Sequence, residues 1–501
     1  MSRKPERDYE DSPCRGLSRR FCKSGSLKWW TSSFAYPSVD FHLRKGDCPS
    51  LLELCIKKIN EDIDRYNTFS MLPRDISQQI FNKLVCSQRL TSVSLEAFRD
   101  CALQDLDLGE YAGVNDSWMD VISSQGSSLL SVDLSGSEVT DFGLSYLKYC
   151  ENLLSLNLNY CDQISDHGLE CISGLSNLTS LSLRRNDSIS AQGMSILSGL
   201  VNLVKLDLER CPGIHGGLVH IQGLTKLQSL NIKWCNCITD SDMKPLSELV
   251  CLESLEISCS KVTNFGISFL KGLQKLSLLN LEGCLVTAAC LDSLADLPLL
   301  SNLNLNRCNI TDDGCEKFSR LENLKVLNLG FNDITDACLA HLKVLTKLES
   351  LNLDSCRIGD EGLINLAGHR QLKCLVLSDT EVGDTGLHHL SEFKNLRSLE
   401  ICGGGLTDAG VKNIRALSCL MCLNLSQNCN LTDKSLESIS GLTRLISLNV
   451  SNSRITNSGL QHLRTLKNLR SLTLESCKVT AYDIKKLRST HLPNLVSFRP
   501  E

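Results

Sequence analysis

Residues Leu348 to Gln371 read LESLNLDSCRIGDEGLINLAGHRQ. Leu351 and Leu353 flank Asn352, a period of two that gives a short strand with both leucines on one face. After Ile358 come Gly359 and Asp360, and Asp360 is placed to cap a short helix carrying Leu363 and Leu366 on one face. One strand face against one helix face is too little core to fold alone, but copies stacked on one another extend it. Cys356, between strand and helix, fits neither period.

The copies are present. The frame returns as LLSLNLNYC from Leu153, LVKLDLERC from Leu203, LQSLNIKWC from Leu227, LSLLNLEGC from Leu276, LSNLNLNRC from Leu300 and LRSLTLESC from Leu469. From LQDLDL at Leu103 to LVSFRP at Leu495 there are about 17 copies, one about every 24 or 25 residues, without a large insertion. The pattern Leu-x-x-Leu-x-Leu-x-x-Asn/Cys at this period resembles the leucine-rich-repeat family. Residues 101–501 are therefore expected to form a right-handed α/β solenoid, a horseshoe with an arc on the order of 80 Å at the usual strand spacing.

The ninth position of the frame answers for Cys356. It holds Cys161, Cys211, Cys235, Cys284, Cys308, Cys356 and Cys477, with Asn186, Asn332 and Asn428 elsewhere. Followed by ITDxGL-like residues, as in CNITDDGC from Cys308 and NDITDACL from Asn332, the unit is similar to the cysteine-containing subclass found behind F-box domains. That resemblance implies a ladder of inward side chains, Asn bonding the turn's backbone and Cys serving as a small buried substitute.

Composition agrees with such a core. Of 501 residues 42% are hydrophobic but only 5% aromatic, so leucine and isoleucine must fill the interior. A net charge of −5 gives no pull toward nucleic acid or anionic membrane. The opening MSRKPERDYEDSP lacks an apolar signal core, Ser2 stands where myristoylation needs glycine, and no apolar run is long enough to span a bilayer. The expected setting is cytoplasmic or nuclear, with the 26 cysteines as thiols.

Residues 1–46 read as a disordered basic arm in which Trp29, Trp30 and Phe34 form a candidate docking motif. Residues 47–100 read as a helical cap: Leu52, Ile56, Ile59 and Ile63 are at helical spacing, and SMLPRDISQQIFNKLV follows. Over 71–85, Leu72, Pro73, Asp75, Ile76, Ile80, Phe81 and Leu84 resemble the opening of an F-box, although the tryptophan usual downstream is missing. The resemblance implies docking on a Skp-type adaptor and cullin, with the horseshoe presenting a protein substrate for ubiquitination and proteasomal degradation. The alternative is a stand-alone interaction scaffold whose helices only close the solenoid. Exposure of Ile76, Ile80 and Phe81, or their burial on the repeat at Leu103, separates the two.

Positions three, five, seven and eight of the frame are expected on the concave face. Most are small and polar, so the exceptions are the partner-binding candidates: Arg184, Arg185, Glu209, Arg210, Lys233 and Trp234 on three successive strands, then Arg307 and Phe331 beside Asp354. The first group could grip an acidic or phosphorylated segment, or its charges could pair among themselves. No catalytic residue, metal site or cofactor is indicated: the histidines are scattered, Cys419 and Cys422 belong to the leucine frame, and Gly403 to Gly405 lack the Lys-Ser/Thr of a phosphate loop.

Overall fold

The computed structural model describes residues 49–499. The arm at 1–46, with Trp29, Trp30 and Phe34, lies outside the described residues. Residues 49–55 belong to one unit and Ile56 onward to a second, so the first helix, α1 (Leu51–Glu61), straddles the division. At its start the Ser50 N–H donates to Glu53 Oε2 at 2.6 Å and the Glu53 N–H to Ser50 Oγ at 3.2 Å, a reciprocal cap.

Among its described residues the second unit carries 17 three-residue strands, β1 (Asp105–Asp107) through β17 (Ser497–Arg499), each parallel to the next. Leucine meets leucine across the ladder, Leu327 to Leu351 to Leu375, and all three are 0–1% exposed. Between strands run short α or 3-10 segments such as Asp408–Ile414 and Gly362–Leu366, whose apolar side closes the other half of the core. The chain is an α/β solenoid of leucine-rich repeats.

Polar ladders tie one repeat to the next. At position nine the Cys161, Cys211, Cys235, Cys284, Cys308, Cys356 and Cys477 thiols donate to the position-six carbonyl of the preceding repeat at 3.1 to 3.4 Å. Asn186, Asn332 and Asn428 make the same bond through Nδ2 at 2.8 Å. These carbonyls lie where the strand ladder ends, so a buried donor here satisfies an acceptor that would otherwise cost free energy. Burial pushes the Cys211 thiol up to about 11 and Cys235 to about 12, which keeps both in the donating form.

A second ladder runs through the ITDxGL residues, and it corrects the role expected of Asp360. The caps are the threonines: Thr407 Oγ1 accepts from the Ala409 N–H of its own helix. The aspartate reaches forward one repeat instead. Asp384 accepts from the Thr407 N–H at 2.9 Å and its hydroxyl at 2.5 Å, and Asp408 and Asp433 do the same to Thr432 and Thr456. Asp360 likewise takes the Gly383 N–H at 2.7 Å and the Thr385 hydroxyl. The motif's glycine follows from this reach, since a Cβ on Gly410 would stand 2.2 Å from Asp384 Oδ1. Where Ala191 and Gly216 supply no carboxylate, Asp242 fills the glycine slot and reaches backward to the Gly216 N–H at 2.6 Å and His215 Nδ1 at 2.8 Å, beside a cavity of about 420 Å³.

His369 breaks the leucine pattern inside the core. It occupies the place of Leu345 and Phe393 in the adjoining repeats, is 0% exposed, and sets Nδ1 3.0 Å from Leu366 O and Nε2 3.2 Å from Leu342 O. Burial holds its pKa below the usual imidazole value despite both carbonyls. The unfolded chain therefore binds more protons, and the histidine's contribution to stability, complete above about pH 6.5, is lost as pH falls toward the folded value. His369→Leu should remove that slope. Denaturation of both proteins from about pH 5 to 7.5 measures it, the difference between them cancelling the opposite trend of Asp354, whose carboxyl burial pushes up to about 6. An unchanged pH slope in the variant would refute the assignment.

The N-terminal helices close the solenoid. In α2 (Arg74–Cys86), Ile80, Phe81 and Leu84 are fully buried, and Phe81 meets Phe98 edge-on at 5.5 Å between ring centroids. Gln78 pairs the open edge of β1: its Nε2 donates to Asp105 O at 2.6 Å and its Oε1 accepts from the Gln104 N–H at 3.0 Å. Ile80, Phe81 and Leu84, which the F-box resemblance would turn toward an adaptor, lie on the side of α2 that covers the first repeat. Ile76 is half-buried against the same core, while Leu72, Pro73 and Asp75 are exposed.

Candidate interaction surface

The inner face of the sheet starts from a turn repeated in every unit. At position five, Oδ1 of Asn231, Asn280, Asn304, Asn328, Asn352 and Asn424 accepts the N–H two residues later at 2.9 to 3.2 Å. This local bond ends the strand and turns the chain, a role their type and spacing signalled but the polar-face reading overlooked. Position eight then adopts a left-handed backbone in each repeat from Glu110 to Ser476, with glycine there only at Gly136, Gly283 and Gly403. For an L residue that conformation costs roughly 1–2 kcal/mol. It is offset by a bond to the next repeat: the Tyr160, Arg185 and Trp234 N–H groups donate to Arg184 O, Glu209 O and Ser258 O at 2.8 Å, and Arg210 to Lys233 O at 3.0 Å.

Position eight therefore forms a rim distinct from positions three, five and seven, and the expected cluster divides along that line. On β4 (Ser180–Ser182), β5 (Lys205–Asp207) and β6 (Ser229–Asn231), the position-seven residues Arg184, Glu209 and Lys233 pair among themselves. Glu209, 8% exposed, contacts Arg184 Nη2 and lies 3.3 Å from Lys233 Nζ, and Arg184 Nε is 3.6 Å from Asp207. Burial raises the Asp207 pKa, and the Arg184 charge opposes that rise.

The rim residues remain available. Tyr160, Arg185, Arg210 and Trp234 hold four successive rim places, and Tyr160 and Trp234 are 43% and 49% exposed. The Arg185 guanidinium stacks over Tyr160 at 5.3 Å and that of Arg210 over Trp234 at 5.2 Å. Further along, Arg307 lies over Phe331 at 4.1 Å. Tyr160 escaped the sequence reading because it was not compared with the arginine one repeat later.

Sequence models of leucine-rich repeats match the chain at residues 298–358 and 394–455, and a second repeat model matches at 149–173, 174–198 and 223–247. The chain is a leucine-rich-repeat protein. No curated protein matches it significantly. Among solved structures it is similar to the leucine-rich-repeat protein LIC12759 of Leptospira interrogans, with 21% identity and a TM-score of 0.53 over 74% of this chain and 95% of that one. An internalin from Listeria monocytogenes matches 75% of this chain and 88% of its own at 23% identity and a TM-score of 0.42. Likeness at this level concerns the fold. Among the described residues of this leucine-rich-repeat protein, no helix is long and apolar enough to cross a membrane, and no group of three or more histidine, cysteine or acidic side chains could hold a metal ion.

Proposed function

We propose that this leucine-rich-repeat protein is a non-catalytic scaffold that binds a protein partner along the inner face and rim of its sheet. The observation that carries the reading is the rim itself: exposed aromatic rings with an exposed Arg185 and a half-buried Arg210 stacked on them, on a backbone fixed by neighbouring repeats, are the side chains that dominate interface energetics. A substrate receptor in a cullin-type ubiquitin ligase is the second reading. It is favoured by Met71 and Leu72, 90% and 37% exposed at the start of the F-box-like segment.

The experiment uses purified Skp-type adaptor and cullin with the intact chain and a Leu72→Asp, Asp75→Arg variant. Because those two residues are exposed, the variant should keep its fold. Retention of the adaptor by the intact chain but not the variant establishes the ligase reading. Absence of retention by either leaves the scaffold reading, which in turn requires that Ser229→Arg, on the inner face of β6 beside the rim, abolish capture of protein partners. Capture indifferent to Ser229→Arg would refute it.

A further inference from the structure

The rim bears on the chemistry of the partner. Arg185 leans onto Tyr160 on one side and Arg210 onto Trp234 on the other, so each guanidinium is backed by the ring on its outer side. Stacking fixes each planar fork while leaving its edge N–H groups free, and a fork held in advance loses less entropy on binding an oxyanion. Among the described residues Arg185 forms no ion pair, and Arg210 forms only a long one, its Nε 4.0 Å from Glu209 Oε1. The carboxylates behind them, Asp207 and Glu209, already face Arg184 and Lys233.

We infer that Arg185 and Arg210 form a clip for one phosphate monoester on an extended peptide, with Tyr160 and Trp234 as platforms for the residues on either side of it. The inference rests on the scaffold reading and names its ligand. Charge decides for phosphate: a dianion can occupy two forks at once, whereas a single carboxylate saturates one. Charge also disfavours nucleic acid. Exposed Asp162 and Asp187 stand two residues beyond Tyr160 and Arg185, and Glu256 and Glu282 continue the inner face, so a polyanion would meet repulsion on both sides. Geometry sets the spacing. Four rim positions about 4.8 Å apart span roughly 14 Å, which about four extended residues cover. The preferred segment therefore carries apolar residues about two places before and after the phosphorylated serine or threonine.

The test is binding of the intact chain to arrayed nine-residue peptides with central phosphoserine or phosphothreonine, their unphosphorylated and glutamate counterparts, and a single-stranded oligonucleotide as competitor. Phosphorylated peptides with flanking apolar residues should bind at least about tenfold better than both counterparts. Arg185→Gln and Arg210→Gln should each lower binding about tenfold, Arg185→Lys less, and Trp234→Ala should relax the apolar preference. Unchanged melting of the variants shows that the fold is retained. The clip is overturned if phosphorylated and unphosphorylated peptides bind alike, if the glutamine variants bind as well as the intact chain, or if the oligonucleotide displaces the peptides through the same arginines. Partner capture that Ser229→Arg abolishes but phosphatase treatment and the glutamine variants spare would defeat the clip while leaving the scaffold standing. Capture indifferent to all of these would defeat both.

Discussion

Phe81→Ala should destabilise the N-terminal repeats by about 3–5 kcal/mol, the usual cost of emptying a buried aromatic site. Phe81 is 0% exposed and packs edge-on against Phe98, which in turn meets Phe69 at 4.9 Å, so the truncation opens the joint between α2 and the first repeat. In a solenoid each repeat contacts only its neighbours, and loss of the end cap leaves Leu103 and Leu106 covered on one side alone. The effect should be local. Amide exchange in β1 and β2 (Ser131–Asp133) is expected to accelerate strongly while β14 (Cys422–Asn424) keeps its protection, and uniform exchange across the three strands would contradict it. Ile80→Asp should be worse, because it leaves an unpaired charge at a fully buried site. Adaptor binding lost in either variant therefore reports unfolding of the cap, which is why the ligase reading has to be tested at Leu72 and Asp75.

The leucines made the fold readable because their periods are set by geometry. A strand puts every second side chain inward, so Leu351 and Leu353 defined a buried strand face without reference to any other repeat. What one unit cannot reveal is which neighbour a polar side chain serves. Asp360 looked like the cap of the helix beside it, yet its acceptors are used by Gly383 and Thr385, one repeat away. Comparing the aspartate of each unit with the threonine of the next would have exposed that ladder. The cap was ambiguous for a related reason. Ile76, Ile80, Phe81 and Leu84 lie on one helical stripe whether that stripe faces an adaptor or the first repeat, and the deciding contact is the pairing of Gln78 with β1, a polar residue the apolar pattern ignores. The concave charges split for a backbone reason: positions seven and eight are adjacent in sequence, but the left-handed turn at Arg185 and Arg210 sends them to the rim while Arg184 and Glu209 stay over the sheet.

Gly410→Ala should destabilise the chain as it stands but cost little once Asp384 is replaced by alanine. In an exposed helix interior the exchange would gain up to about 1 kcal/mol, since glycine loses more backbone entropy on folding. Gly410 lies in the helix Asp408–Ile414, but its added Cβ would stand 2.2 Å from Asp384 Oδ1 and 2.9 Å from Cγ. Overpacking of that kind costs about 1–3 kcal/mol, and moving the carboxylate aside also weakens its bonds to the Thr407 N–H and hydroxyl. The clash outweighs the propensity, so the single variant should be clearly less stable. Asp384→Ala alone should cost about 1–3 kcal/mol by stranding the Thr407 donors. With that carboxylate gone, the two closest approaches disappear and a 3.0 Å approach to the Cα of residue 384 remains, so the helical gain should bring Gly410→Ala close to neutral. A double-mutant cycle by denaturation would then give a coupling of about 1–3 kcal/mol between two residues of different repeats. Strict additivity would mean that the glycine answers to its own helix, and that the link from each aspartate to the following repeat does not govern which residues the ITDxGL motif admits.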